Sequence, residues 1–334
     1  METQILPIND YSIKLAAELL KSGEIAAIPT ETVYGLAGNG LSAQTVKKIF
    51  AAKNRPADNP LILHIPDTNW LYRYAESVPE SALKLAERFW PGSLTMIMPK
   101  NNIVPDETSG GLTTVAFRMP DNKYTLKLIE LCGFPLAAPS ANLSGFPSPT
   151  EARHVYNDLN GKISLILDGG RCSCGLESTV ITFTEKGVKI LRPGGVTPEM
   201  LCEFCEVEID KAVTDGLEDN GKALSPGMKY KHYSPKAVVY MIECGDNSRF
   251  IEFVNNNYDE NTLVLTNAAG KIRAKTIPYG STDEREAAEL FSALRQADEL
   301  GAEKIFVKAP EKKGIGLAVY NRLIRAAAFK VIKL

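Results

Sequence analysis

Between residues 210 and 236 the chain loses the alternation of strand-like and helix-like runs that fills the rest of it. An acidic, glycine-containing stretch, DGLEDNGKALS, runs into SPGMKYKHYSPK, with prolines at 226 and 235, and a segment of that composition separates domains. Upstream of it, spacing predicts strands over 3–8, 24–29, 61–65, 94–98, 113–119, 135–139, 163–168, 177–184 and 187–192. Helical periodicity covers 10–22, 42–53, 67–76, 79–89, 122–131, 150–159 and 197–204. The runs that meet at Glu185-Lys186-Gly187 read as a hairpin, which an all-parallel sheet would not contain, so this half is mixed α+β. Downstream the alternation is cleaner: strand 237–243, helix 247–257, strand 262–266, helix 283–299, strand 304–308 and helix 315–328. That is the pattern of a small α/β domain with a mainly parallel sheet. The expected organisation is an α/β chain with a first domain over 1–210, a linker over 211–236 and a second domain over 237–334. A length of 334 residues suits two domains of roughly 150 residues each.

Charge narrows the function. The chain carries 38 Lys and Arg against 40 Asp and Glu, a net charge of −2. That argues against holding DNA or RNA by bulk phosphate neutralisation, which needs a net basic footprint. No run approaches the roughly 18 apolar residues that span a bilayer, and the start, METQILPIND, lacks the layout of a secretory signal. A cytoplasmic location and no membrane partner are expected. The six cysteines would then stay reduced. Cys172 with Cys174, and Cys202 with Cys205, can be imagined as a four-thiolate zinc site, but small buried hydrophobes are the plainer reading.

Two nucleotide signatures fail. There is no G-x-x-x-x-G-K-[ST] loop, and the G-x-G-x-x-A match at Gly38 to Ala43 does not follow its strand directly, because PTETVYGLA intervenes. Polar residues at strand ends are the denser signal. Pro29 to Leu36, PTETVYGL, follows the apolar EIAAI, and such termini are where mixed sheets place ligands. Lys53-Asn54-Arg55-Pro56 closes a helix, and Pro56 pushes Arg55 out of the α region. Two cations beside Asn59 then make a phosphate clamp, although Lys and Arg also serve helix C-termini as dipole partners. In Thr113 to Arg118, strand alternation puts Thr114, Ala116 and Arg118 on one face; in Ala138 to Asn142 it aligns Ala138, Ser140 and Asn142. Ser148, Glu177-Ser178 and Arg192 extend the polar set, while a lone His64 reads more simply as a structural residue. No Ser-His-Asp order with an elbow motif appears, and three histidines without an H-x-x-x-H pair make a catalytic metal cage unsuitable.

Taken in order, PTETVYGL, the K-x-R of Lys53 and Arg55, the S-x-N of Ser140 and Asn142, GLESTV, LRPG, SPGMKYKHYSPK and GIGLAVYNRLIRAA resemble the two-domain threonylcarbamoyl-AMP synthases. The resemblance implies a YrdC-like catalytic domain with a large concave cavity over 1–210, followed by a Rossmann-like C-terminal domain. The implied reaction joins L-threonine, bicarbonate or CO2 and ATP into threonylcarbamoyl-adenylate and pyrophosphate, making the chain a nucleotidyltransferase. A downstream complex would carry the group to tRNA; direct tRNA binding is not implied. Carried over by motif, Thr32, His64, Arg118, Ala138 and Ser178 would form the threonine side. Arg55, Asn59, Thr114, Ser140, Ser148, Arg192 and a linker tyrosine, Tyr230 or Tyr233, would form the ATP side, with Lys53 and Asn142 completing the catalytic pairs. Mg2+ would accompany ATP, held mainly by phosphates and water. Two departures are visible: Tyr233-Ser234-Pro235 stands where the family often has HYAP, and Phe117 where it often has valine. Lys53, Arg55, Arg118 and Arg192 suit the charge that gathers when a carboxylate, a carbamate and a triphosphate share a site. As surface-like cations, Lys53 and Arg55 would be removable at little cost to stability. The alternative is a YrdC-like RNA-binding module reading a backbone by shape, which the net charge disfavours.

Overall fold

The computed structural model describes residues 2–215 and 233–334. They fall into two compact units, one holding residues 2–144 and 148–215, the other 145–147 and 233–334. Most of the expected linker, with Tyr230, lies outside the described residues.

The strands of the first unit are β1 (Gln4–Pro7), β2 (Ala26–Ile28), β3 (Gly35–Asn39), β4 (Ile62–His64), β5 (Leu94–Pro99), β6 (Thr114–Arg118), β7 (Leu136–Ala137), β8 (Leu165–Asp168), β9 (Thr179–Phe183), β10 (Gly187–Arg192) and β11 (Glu206–Ile209). They form one sheet in the order β1-β8-β2-β3-β7-β4-β6-β5-β9-β10-β11. Pairing is mixed: β4 and β6, and β5 and β9, run parallel, whereas β5 and β6, and β9 and β10, run antiparallel. The expected hairpin is β9–β10, closed by the Thr184 N–H on the Gly187 carbonyl at 2.9 Å. Two registers matter below. Parallel pairing sets His64 opposite Arg118 at the ends of β4 and β6, and it sets Leu94 opposite Thr179, so that Thr95 and Ser178 stand side by side.

Helices cover the sheet because their apolar residues recur at helical spacing. In the helix Asp10–Lys21, Ile13, Ala16, Ala17 and Leu20 are buried, and Asn9 caps its start by accepting from the Tyr11 and Ser12 N–H groups at 3.0 Å. It packs with the helix Lys123–Cys132, whose Leu128 and Ile129 join the same core. Where one helix was expected over 67–76 there is a 3₁₀ turn, Thr68–Trp70, running into the short helix Leu71–Tyr74; Asp67 caps the turn by accepting from the Asn69 N–H at 2.7 Å. Two strands were not expected, β3 and β11. The sequence of β3, GLAGN, is poor in β-formers, yet β3 pairs with β2 and β7, and the Leu36 N–H donates to the Pro139 carbonyl at 2.7 Å.

The second unit has β12 (Val238–Glu243), β13 (Thr262–Leu265), β14 (Lys275–Ile277), β15 (Lys304–Lys308) and β16 (Val331–Lys333), in the order β14-β13-β15-β12-β16. Every pair is parallel, and the helices Asn247–Asn257, Asp283–Glu299 and Gly316–Ala326 make crossovers between them. Ile242, Phe250, Val254, Val264 and Phe306 pack together between sheet and helix. The three-residue edge strands β14 and β16 escaped the sequence reading because their runs are too short to show a period.

Gly194, in LRPG, shows how tightly the end of the β9–β10 hairpin is built. A Cβ at this position would collide with backbone atoms of Thr179, Glu177 and Ser178. Gly194→Ala should destabilise the protein by about 1–3 kcal/mol, read as a lower thermal midpoint by circular dichroism; an unchanged midpoint would contradict this packing.

Candidate active site

The helix Ala43–Lys53 starts at Ser42, whose hydroxyl accepts from the Thr45 N–H at 3.2 Å, and ends at Asn54 in the left-handed region, φ 51°. The turn buries Lys53 to 1% exposure. Its ammonium donates to the Ser140 carbonyl, to the Asn142 carbonyl at 2.6 Å and to Asn142 Oδ1 at 3.5 Å. In return the Ser144 N–H donates to the Lys53 carbonyl at 2.8 Å. Lys53, Ser140 and Asn142 are therefore directly bonded, across 87 residues of sequence between the first two. Arg55 folds back, and its Nη2 donates to the Asn59 carbonyl at 3.4 Å and the Pro60 carbonyl at 3.2 Å. Asn59 is 2% exposed, and its Oδ1 accepts no hydrogen bond among the described residues. A buried amide oxygen of that kind is costly.

A second cluster forms where β4 and β6 end. Arg118 is 4% exposed; its Nε donates to the Gly92 carbonyl at 3.2 Å, and its guanidinium pairs with the Glu31 carboxylate at 2.7 Å. Glu31 also accepts from the Asp121 N–H at 3.1 Å and the Ser93 hydroxyl at 3.4 Å. His64 lies opposite Arg118, 2% exposed. Burial first, and the neighbouring Arg118 second, lower its pKa from 6.5 to about 3. The ring is neutral, and its Nδ1 has no hydrogen-bond partner among the described residues. Thr32 is buried with its hydroxyl 2.9 Å from that of Thr30. Ser178 shares a hydrogen bond with Thr95 at 2.7 Å and accepts from Arg192 Nη2 at 3.2 Å, while Arg192 Nε donates to the Ser178 carbonyl at 3.1 Å. The Ser148 hydroxyl donates to Glu177 at 2.5 Å. Ala138 is buried, its N–H on the Ile62 carbonyl at 3.2 Å.

The structure thus brings together Lys53 with Ser140 and Asn142, His64 with Arg118, and Ser178 with Arg192. Thr114 shares a face with Arg118 but sits at the opposite end of β6, bordering a cavity of about 390 Å³ that Ile97 and Thr182 also line. Tyr233 belongs to the second unit, where its ring stacks on Phe291 at 5.2 Å and lies 5.7 Å from the Arg322 guanidinium. Glu31, Ser93 and Thr95 were not foreseen as site residues. Glu31 stood in plain view inside PTETVYGL, and strand alternation separates Thr95 from the buried Leu94, Met96 and Met98.

Two family models match the chain, one described as telomere recombination over residues 18–194, the other as threonylcarbamoyl-AMP synthase, C-terminal domain, over residues 196–328. A threonylcarbamoyl-AMP synthase of Pyrococcus abyssi is 46% identical over 331 residues, covering 98% of this chain and 97% of its own. Its Bacillus subtilis namesake is 42% identical over 341 residues, covering 99% and 97%. The crystal structure of P. abyssi Sua5 complexed with L-threonine is similar to this one with a TM-score of 0.92 at 44% identity, covering 100% of this chain and 99% of that one.

Burial changes what Lys53 is expected to do when it is removed. A surface-like cation would leave stability untouched, but this ammonium satisfies buried oxygens. Lys53→Ala should lower stability by about 1–3 kcal/mol for the acceptors it strands, measured by urea unfolding, and an unaltered midpoint would refute the clamp. For His64 the folded pKa lies below the unfolded value, so the unfolded chain binds the extra proton. The stability this residue contributes is complete above about pH 6.5 and is lost as the pH falls toward 3. Imidazole resonances should show His64 neutral from pH 8 down to pH 5; titration near 6.5 would show that the ring is not buried against Arg118.

Proposed function

The chain belongs to the threonylcarbamoyl-AMP synthase family, in its form with a YrdC-like domain and a C-terminal domain, and from that premise we propose how its side chains divide the work. The activity of that family is the activity of this chain: L-threonine, bicarbonate or CO2 and ATP give threonylcarbamoyl-AMP and pyrophosphate, the first step of tRNA threonylcarbamoyladenosine modification. We read the reaction as nucleotidyl transfer in two displacements. The threonine nitrogen attacks the carbon of CO2, forming the N–C bond of a carbamate and losing a proton to water. A carbamate oxygen then attacks the α-phosphorus of ATP, and the bond to the β-phosphate oxygen breaks as pyrophosphate leaves.

No side chain needs to act as nucleophile, so the protein's part is positioning and charge stabilisation. The observation that carries this assignment is the buried Arg118–Glu31 ion pair beside a neutral His64. A cation and an anion held at one spot complement the carboxylate and the amine of a free amino acid. We assign Arg118 to the threonine carboxylate, Glu31 to the amine, and Thr32, His64 and Ser178 to the hydroxyl and methyl end, with Ala138 limiting the space. Arg55, Asn59, Ser140, Ser148, Thr114 and Arg192 form the ATP side in this reading. Lys53 gives its protons to carbonyl oxygens, so its charge acts from behind Ser140 and Asn142, and it is a positioning residue. Tyr230 or Tyr233 would cover the nucleotide. Mg2+ enters as part of the ATP substrate, held by phosphates and water. No helix among the described residues is long and apolar enough to cross a membrane; we place the enzyme in the cytoplasm, where a tRNA-modifying complex would take its product.

The test is pyrophosphate release that depends on both threonine and bicarbonate. Arg118→Gln should lower kcat/KM for threonine by about 10²-fold, the usual cost of one charge contact in a closed site. A site that hydrogen-bonds a hydroxyl rejects analogues lacking it by roughly 10⁴-fold, so valine should be a very poor substrate. Valine turned over as well as threonine, or normal kcat/KM in Arg118→Gln, would overturn the assignment of the threonine side.

A further inference from the structure

At the carboxyl ends of the strands of the second unit lies a cavity of about 540 Å³. It is lined by the segments that follow β12, β13 and β15 and by the first turn of the helix Asp283–Glu299. A volume of roughly 300–1,000 Å³ is that of small-molecule sites. The position is also the one that parallel sheets use for ligands. In the strand order β14-β13-β15-β12-β16, the chain leaving β12 runs toward β13, and the chain leaving β15 runs the other way toward β16, so a crevice opens where the connections part.

The lining decides the sign of the ligand. The helix starts at this end carry carboxylates in place of free N–H groups: Asp246 caps Asn247–Asn257 by accepting from the Arg249 N–H at 2.9 Å, and Asp283, Glu284 and Glu286 fill the first turn of Asp283–Glu299. A phosphate would meet like charge there. The cavity wall sets Glu243, Asp283, Glu286 and Glu311 against Lys308 and Lys312. Three of the cations at this end have partners already. Lys312 pairs with Glu243 at 3.6 Å and lies 4.4 Å from the Tyr320 ring, Lys313 pairs with Glu311 at 2.5 Å, and Lys308 donates to Asn247 Oδ1 at 2.7 Å. Asp283 and Glu286 have no ion pair among the described residues. Burial, and then their acidic neighbours, raise both pKa values, that of Glu286 to about 7 with Asp283 as the second cause.

Tyr279 adds an independent sign of a missing partner. It lines the same cavity at 4% exposure, and its hydroxyl has no hydrogen-bond partner among the described residues. The backbone is built to keep these groups close: at Gly280, φ 37°, a Cβ would come 2.6 Å from the Glu286 nitrogen, and the Gly280 N–H donates to Glu289 at 2.7 Å. Lys313 and Lys308 act on Asp283 and Glu286 only from a distance and only partly offset their charge, so two carboxylates with no ion pair favour a cation. The two carboxylates and the Tyr279 hydroxyl offer several acceptors in a small volume, which suits an organic cation with several N–H donors.

We propose that this crevice binds a small organic ammonium ion through the carboxylates of Asp283 and Glu286, at a site separate from adenylation. Putrescine is the probe, and 1,4-butanediol, of the same length and uncharged, is its control. Calorimetric titration of the full chain should give saturable 1:1 binding of putrescine with Kd of roughly 1 mM or tighter. Glu286→Gln and Asp283→Asn should each weaken it at least about tenfold, since a hydrogen bond to a charged group is lost. Butanediol should not bind. Removing one of two repelling carboxylates should hold or raise the thermal midpoint at pH 8, which also shows that the variants are folded. The proposal fails if putrescine gives no saturable heat, if both variants bind it as tightly as the unsubstituted chain, if butanediol binds equally well, or if both variants fail to fold, since the carboxylates would then be structural.

Discussion

The first unit depends on one buried ammonium. Lys53 closes a helix, yet its charge is carried into the interior, where it joins the carbonyls of Ser140 and Asn142. The Ser144 N–H on the Lys53 carbonyl returns the bond, so the helix end and the segment after β7 are tied by donors in both directions. A lysine at 1% exposure loses its hydration shell, and such a charge persists only when oxygens replace the water. The oxygens come from the backbone carbonyls of Ser140 and Asn142. Each side of the clamp is therefore needed to make the other tolerable, and the polar residues of this segment are positioned as a consequence.

The same logic organises the ends of β4 and β6. Arg118 would be prohibitively costly as an unpaired buried charge, and Glu31 removes that cost within the protein. With the pair in place, the loss of water first and the field of Arg118 second keep His64 neutral. The cluster therefore carries paired charge beside a neutral imidazole. That is a suitable environment for a reaction whose nucleophiles belong to the substrates.

Much of this was legible in the chain itself, and the failures have physical causes. The β9–β10 hairpin, the shared face of Thr114 and Arg118, and the alternation of the second unit follow from periods of 2 and 3.6 that any reader of the sequence can count. β3 was not legible because GLAGN forms a strand only through its neighbours on both sides, a tertiary effect that local propensity does not encode. Lys53 was read as a phosphate-facing cation because Pro56 takes Arg55 out of the helix and sets two cations beside Asn59; its burial depends on a turn at Asn54 and on oxygens 87 residues away. Glu31 was overlooked because its importance lies in pairing with Arg118, and no spacing within one segment reports a partner in another.

The two units apply one geometric rule with opposite charge. In both, side chains gathered at strand ends are held by backbone that leaves little freedom. In the first, Arg55, Arg118 and Arg192 stand among neutral hydroxyls and amides, and the carboxylates there are already engaged: Glu31 by Arg118, Glu177 by Ser148. In the second, Lys312 and Lys313 pair with Glu243 and Glu311, Lys308 donates to Asn247, and Asp283 and Glu286 have no ion pair among the described residues. Net charge over the whole chain, −2, conceals this division, because the balance of a sum says nothing about where the terms lie. The carboxylates around the cavity of the second sheet disfavour a polyphosphate there, whatever the topology suggests. The sheet's strand order opens a crevice, and the carboxylates around that crevice favour a cationic occupant.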